Sequence, residues 1–197
     1  YIDRGPDIKG TIQTLIDFQP KNFNHVFLLG NHEQMLLDFI AGKRNSLYIW
    51  LGNGGFETLE SYGSNMNSYI DTSLGLNDDE QIRKHFTQLL PLSHKNFFIQ
   101  LQLNYEWEDY FFVHAGINPE LPFNKQEKET MIWTREQNFF DPKMIYHKTI
   151  VHGHTPVEKV EKLTFRINLD TGAFYSDILT CLLIDVKSGK RHYFNTK

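Results

Sequence analysis

Leu28-Leu29-Gly30-Asn31-His32-Glu33 is the stretch on which the fold turns. It closes an apolar run, Val26-Phe27-Leu28-Leu29, whose length and composition predict a buried strand. Gly30 then turns the chain, and a helix is expected from Glu33 to about Ile40. Asn31 and His32 therefore stand at a strand's C-terminal end, where open α/β sheets place their chemistry. An amide oxygen there can ligate a metal, and the neighbouring imidazole can donate a proton.

Upstream, Ile8, Ile12, Leu15 and Ile16 are spaced as one face of a helix over Asp7–Phe18, with Pro6 and Asp7 suited to its start. Helix, strand and helix in alternation predict an α/β fold. From about residue 43 to 92 the texture changes. Trp50-Leu51-Gly52-Asn53-Gly54-Gly55 reads as a loop, Phe56–Tyr62 and Asp78–Leu90 as helices, and Ser61–Leu76 as a polar insertion; together they form a helical cap. The second half reads as strands. Ile99, Leu101 and Leu103 alternate with polar residues, and a hairpin across Asn104–Glu108 leads into Asp109–His114. Further strands are expected at Thr149–His152, Phe165–Leu169, Ile178–Val186 and Arg191–Phe194. The whole chain, 1–197, is read as a single domain.

Composition narrows the function classes. The 197 residues are 40% hydrophobic and 22% charged, with 14% aromatics and a formal net charge of −4. The acidic balance argues against nucleic acid as a partner. The lone cysteine, Cys181, excludes an intrachain disulfide framework and favours a reducing, cytoplasmic setting. No apolar stretch has the length of a membrane span. The chain opens at Tyr1 directly in a motif, and is read as beginning inside a domain.

Five segments place ligand-type residues at a strand end or in the loop after it: Asp3-Arg4-Gly5, Gly30–Glu33, Val113-His114-Ala115-Gly116, His152-Gly153-His154-Thr155-Pro156 and Leu169-Asp170-Thr171-Gly172. Asn31, His114 and His154 offer one oxygen and two nitrogens, a set suited to manganese, iron or zinc rather than a thiolate site. His152 reads as a core residue or a support for a ligand, with ligation itself as the lesser alternative. His32 is the candidate proton donor, with Asp3 to fix its tautomer; a helix-capping role for Asp3 is the alternative. Arg4, in a rigid Arg-Gly-Pro loop, can grip a phosphate. Arg135 is a second candidate, equally readable as a solvated helix arginine.

Taken together these segments resemble the phosphoprotein phosphatase family of the calcineurin-like metallophosphoesterase superfamily, in its bacterial and phage branch. Tyr1-Ile2-Asp3-Arg4-Gly5 matches the tail of the block G-D-x-x-D-R-G, Gly30–Glu33 matches G-N-H-E in full, and His114-Ala115-Gly116 and Gly153-His154-Thr155-Pro156 match the later histidine blocks. The resemblance implies a central β-sandwich flanked by helices, with two divalent metals, manganese first and iron or zinc as alternatives. It implies Asn31, His114 and His154 as ligands of one metal, His32 paired with Asp3 as general acid, and Arg4 with Arg135 on the phosphate. A metal-bridging hydroxide would attack phosphorus in line. The block G-D-x-H-G is absent. The remaining ligands and first strand are thus expected upstream of Tyr1, with this stretch holding one metal weakly or none. The implied activity is a serine/threonine protein phosphatase acting on a phosphoprotein or small phosphoester. A symmetrical dinucleoside tetraphosphate hydrolase and a metal-depleted binding module are the alternatives.

Overall fold

The computed structural model describes residues 1–18, 20–64, 79–135, 139 and 146–197. Most of the expected insertion at 61–76 lies outside them. The chain divides into two compact units, Tyr1–Phe27 with Asn31–Leu101, and Leu28–Gly30 with Gln102–Lys197.

The first unit is helical: α1 (Ile8–Asp17), α2 (Asn31–Ile40), α3 (Ser46–Leu51), α4 (Gly55–Ser61), α5 (Asp79–Leu89) and α6 (Leu92–Ile99). The Asp7 side chain caps α1 by accepting from the Gly10 N–H at 2.8 Å, an interaction worth about 1 kcal/mol. Ile8 and Ile12 of α1 are buried, as their spacing predicts. They join Leu36, Phe39, Leu47, Trp50, Leu59, Ile82 and Phe86 in one core. Trp50 sits at its centre, with ring centroids 5.2 Å from Phe39 and 5.7 Å from Phe86.

Three expectations fail here, each for a physical reason. Residues 50 and 51 are helical rather than loop, because Leu47, Trp50 and Leu51 are buried at helical spacing and outweigh the glycines that follow. Ile99 ends a helix rather than starting a strand, because His94, Phe97 and Phe98 bury one face of α6. The strand expected at Val26–Leu29 contracts to a single parallel bridge, Leu28 to Gln102, with the Leu29 N–H donating to the Gln102 carbonyl at 2.7 Å. Helix α2 consequently begins at Asn31, two residues earlier than expected, and takes in both Asn31 and His32.

The second unit carries the sheets. Strands β1 (Asn104–Trp107), β2 (Tyr110–Val113), β3 (Thr149–His152), β4 (Glu161–Lys162) and β5 (Arg166–Asn168) run in the order β1-β2-β3-β5-β4. The inner pairs β2–β3 and β3–β5 are parallel and the outer pairs antiparallel. Residues expected as a hairpin loop, 104–107, are the strand β1, turning at Glu108 and Asp109. Strands β6 (Thr180–Asp185) and β7 (Lys190–Asn195) form a separate antiparallel pair.

Alternation divides the larger sheet into two faces. Phe111, Val113 and Ile150 pack with Ile117 and with Met131 of α7 (Lys128–Trp133). Tyr110, Phe112, Val151 and Ile167 pack with Leu182, Ile184 and Tyr193 of the β6–β7 pair. The mixed α/β class and the sheet-on-sheet core expected from sequence are therefore found. Among the described residues no helix is long and apolar enough to cross a membrane.

A polar chain links the end of α4, at Tyr62, through the buried His94 of α6 to Gln13 of α1. The Tyr62 hydroxyl donates to His94 Nδ1 at 2.7 Å, and His94 Nε2 donates to Gln13 Oε1 at 3.0 Å. Burial holds the His94 pKa below its ordinary value, with Lys9 lowering it further and Asp17 opposing. A group whose folded pKa is depressed favours the folded state when neutral, and loses that contribution as pH falls below the unfolded value of about 6.5. Urea unfolding should therefore show lower stability at pH 5 than at pH 7, with part of that difference abolished in His94→Gln. An identical pH dependence in the variant would remove His94 as the cause.

Candidate active site

Asp3 and His32 are brought together although 29 positions apart in sequence. His32 sits in the first turn of α2, and its Nδ1 lies 2.6 Å from Asp3 Oδ2. A carboxylate accepts, so Nδ1 carries the proton in this contact and Nε2 is the nitrogen left to exchange a proton with a substrate. The His32 side chain keeps 20% of its exposure while that of Asp3 has none. The dyad is thus anchored on its buried side and open on the other.

The Asp3 carboxylate has two more donors. Trp50 Nε1 donates to both oxygens, to Oδ1 at 3.0 Å and to Oδ2 at 3.2 Å, and the Thr58 hydroxyl donates to Oδ1 at 2.6 Å. The Thr58 oxygen in turn accepts the Asp3 backbone N–H at 3.0 Å. Reading the sequence missed both residues. Trp50 fell within an expected loop, and Thr58 is an ordinary helix position whose only signal is proximity to Gly54-Gly55.

Arg4 follows with the backbone of both Asp3 and Arg4 in the left-handed region, φ 66° and 58°. Its Nε donates to the Asn53 carbonyl at 3.4 Å and its backbone N–H to the Gly54 carbonyl at 3.3 Å. Gly54 itself has φ +100°, and a Cβ there would stand 2.7 Å from Arg4 Cγ. Asn31 is buried in the first turn of α2. The neighbouring Glu33 is also buried, and its carboxylate accepts the Ile2 N–H at 3.3 Å.

The second unit gathers the later histidines. Strands β2 and β3 are parallel, so their C-terminal ends adjoin, and the Gly153 N–H donates to the His114 carbonyl at 2.8 Å. His154, at φ 65°, turns out of the strand direction. His114 Nε2 and His154 Nδ1 face each other at 3.2 Å. Two nitrogens each about 2.0–2.1 Å from one ion, roughly 90–110° apart, stand about 2.9–3.4 Å from each other. The pair thus fits two neighbouring positions around a divalent metal. Among the described residues no group of three or more His, Cys, Asp or Glu side chains gathers as a metal cluster. Arg135 Nη2 donates to the His154 carbonyl at 3.3 Å, and the Trp133 ring stands edge-on to the His154 ring.

His152 differs from His154. It is buried in β3, its Nδ1–H donates to the Gly153 carbonyl at 2.9 Å, and Arg166 donates to its Nε2 at 3.3 Å. Burial first, then the Arg166 and His154 charges, outweigh the Gly153 hydrogen bond and lower its pKa to about 4. It is a neutral core histidine at pH 7.

No protein-family model matches the chain. The chain is similar to the asymmetrical bis(5'-nucleosyl)-tetraphosphatase PrpE of Oceanobacillus iheyensis, with 27% identity over 192 residues, covering 90% of this chain and 68% of that protein. It is also similar to a crystal structure of a protein described as a candidate diadenosine tetraphosphatase. That match has a TM-score of 0.60 and 16% identity, and covers 98% of this chain and 76% of the other. The structural likeness shows the fold, a mixed α/β arrangement.

If His114 and His154 chelate an ion together, either substitution alone should weaken binding. Co2+ titration followed by visible absorption should lose its d–d bands in His114→Ala and in His154→Ala, while His192→Ala, on the exposed side of β7, keeps them. Wild-type binding in His114→Ala would remove the pair from the ligand set.

Proposed function

We propose that this chain is the core of a metal-dependent hydrolase of phosphoric esters and anhydrides, with dinucleoside tetraphosphates as its substrate class. The observation that carries the reading is the Asp3–His32 dyad, anchored through Nδ1 on a buried carboxylate with the imidazole side chain one-fifth exposed (20%). A hydrolase of phosphoric esters and anhydrides gains from a group that can give a proton to the oxygen leaving phosphorus, and an imidazole held by a carboxylate is suited to it. Similarity to the PrpE tetraphosphatase along 90% of the chain supports the substrate class.

Each residue has a role in this reading. His32 delivers its Nε2 proton to the leaving oxygen, and Asp3 holds the ring through Nδ1. Arg4 and Arg135 bind phosphate oxygens through their guanidinium groups. His114 and His154 would hold a divalent ion, and Asn31 keeps the ligand role that its motif implies. Manganese is the first candidate, with iron and zinc as alternatives. Divalent metal, when bound, would supply a water-derived nucleophile and stabilise charge developing on phosphorus.

The serine/threonine phosphatase expected from sequence would use the same proton donor and the same arginines. The comparisons lend no support to a phosphoprotein substrate, so it stands second. The relative is of the asymmetrical kind. Unequal cleavage of a four-phosphate chain, into a mononucleotide and a nucleoside triphosphate, is accordingly expected here in place of the symmetrical split.

The full-length protein should be assayed with diadenosine tetraphosphate, a phosphopeptide and p-nitrophenyl phosphate, with and without Mn2+. AMP and ATP should appear in a metal-dependent reaction, and His32→Asn should lower kcat by about 10²–10⁴-fold. Turnover that needs no metal and survives His32→Asn would end this reading. Preference for the phosphopeptide would restore the protein phosphatase.

A further inference from the structure

The segment from Trp50 to Thr58 belongs to no motif with an assigned role, yet four of its residues converge on Asp3 and Arg4. The Thr58 hydroxyl donates to Asp3 Oδ1 at 2.6 Å, the Trp50 indole N–H straddles both oxygens at 3.0 Å from Oδ1 and 3.2 Å from Oδ2, and Oδ2 accepts from His32 at 2.6 Å. Trp50 and Thr58 are both fully buried. A carboxylate with one partner can rotate about its Cβ–Cγ bond. With Thr58 fixed on Oδ1 and Trp50 bridging both oxygens, the carboxylate plane is set and Oδ2 is held toward His32 Nδ1. The Asn53 and Gly54 carbonyls meanwhile take the Arg4 Nε–H and backbone N–H. Gly54, at φ +100°, leaves the space that Arg4 Cγ fills.

We propose that the Trp50–Thr58 segment is a positioning clamp with two arms. Trp50 and Thr58 set the orientation of Asp3, and through it the tautomer of His32. Asn53 and Gly54 set the place of the Arg4 guanidinium. None of the four touches the reacting atoms in this assignment. They are positioning residues, and the two arms separate kinetically because one serves proton delivery and the other phosphate binding.

The test uses the full-length protein and two readouts. The first is the neutral His32 tautomer, read by two-bond ¹H–¹⁵N correlation of the imidazole, which needs no turnover. Wild type should show the Nδ1–H form alone. Thr58→Val and Trp50→Phe should show a mixture, and Thr58→Ser should restore the single form. Gly54→Ala should leave the tautomer as in wild type. The second readout rests on the phosphoester hydrolysis proposed above. Thr58→Val should lower kcat about tenfold or more with KM held within about twofold, while Gly54→Ala should mainly raise KM. An unchanged Nδ1–H tautomer in both Thr58→Val and Trp50→Phe overturns the clamp, as does loss of the tautomer with kcat unaltered. If wild-type protein hydrolyses no phosphoester, the functional reading fails, and the tautomer comparison alone decides the clamp. Should Thr58→Val not fold, Trp50→Phe, which keeps an aromatic ring against Phe39 and Phe86, carries the same comparison.

Discussion

A carboxylate with no exposed side-chain surface must be met by donors or it destabilises the fold around it. Asp3 is met by three, from His32 of α2, Trp50 of α3 and Thr58 of α4. The helical unit is arranged around that requirement. Trp50 shows the economy of the solution, since one face of its indole fills the core against Phe39 and Phe86 while its N–H satisfies the charge. Asp3 and Arg4 both occupy left-handed backbone, a conformation that costs of order 1 kcal/mol per non-glycine residue and persists only where surroundings over-determine it. The hydrogen bonds from Asp3 N to Thr58 and from Arg4 N to Gly54 are that over-determination.

The second unit answers to a different constraint, the direction of its strands. Parallel pairing of β2 with β3 puts the residues after both strands side by side whatever their separation in sequence. The Gly153 N–H to His114 carbonyl bond extends the pairing one step past the strands. His154 then departs at φ 65°, which brings its ring to His114. A glycine before the turn is useful because the Asp170 side chain lies close, with its Cβ 3.3 Å from where a side chain at 153 would begin.

Reading the sequence recovered what depends on local pattern. Helix α1 with its Asp7 cap, strand β3 and the β6–β7 hairpin around Lys187–Lys190 stand close to where periodicity and turn residues placed them. What it misplaced depends on tertiary choice. Ile99, Leu101 and Leu103 alternate as a strand would, but the burial of Phe97 and Phe98 pulls Ile99 into α6. Motif chemistry singled out Asp3, Arg4, Asn31, His32, His114 and His154, and the structure brings Asp3 to His32 and His114 to His154. The site was not legible at Trp50 and Thr58, because a hydrogen bond between positions 47 or 55 apart leaves no periodic trace in a single chain.

The two histidine pairings differ in what each can do with protons. Between His32 and Asp3 the roles are complementary, an N–H donor and a charged acceptor, so the contact strengthens as the imidazole gains its second proton. Between His114 and His154 they are alike. Two neutral rings share at most one N–H across 3.2 Å, and two cationic rings would repel. The first arrangement fixes Nδ1 as the donor and directs proton exchange to Nε2. The second sets two ring nitrogens within reach of one electrophile. That contrast, visible within each unit separately, supports the proposed roles, proton delivery for His32 and metal binding for the other two histidines.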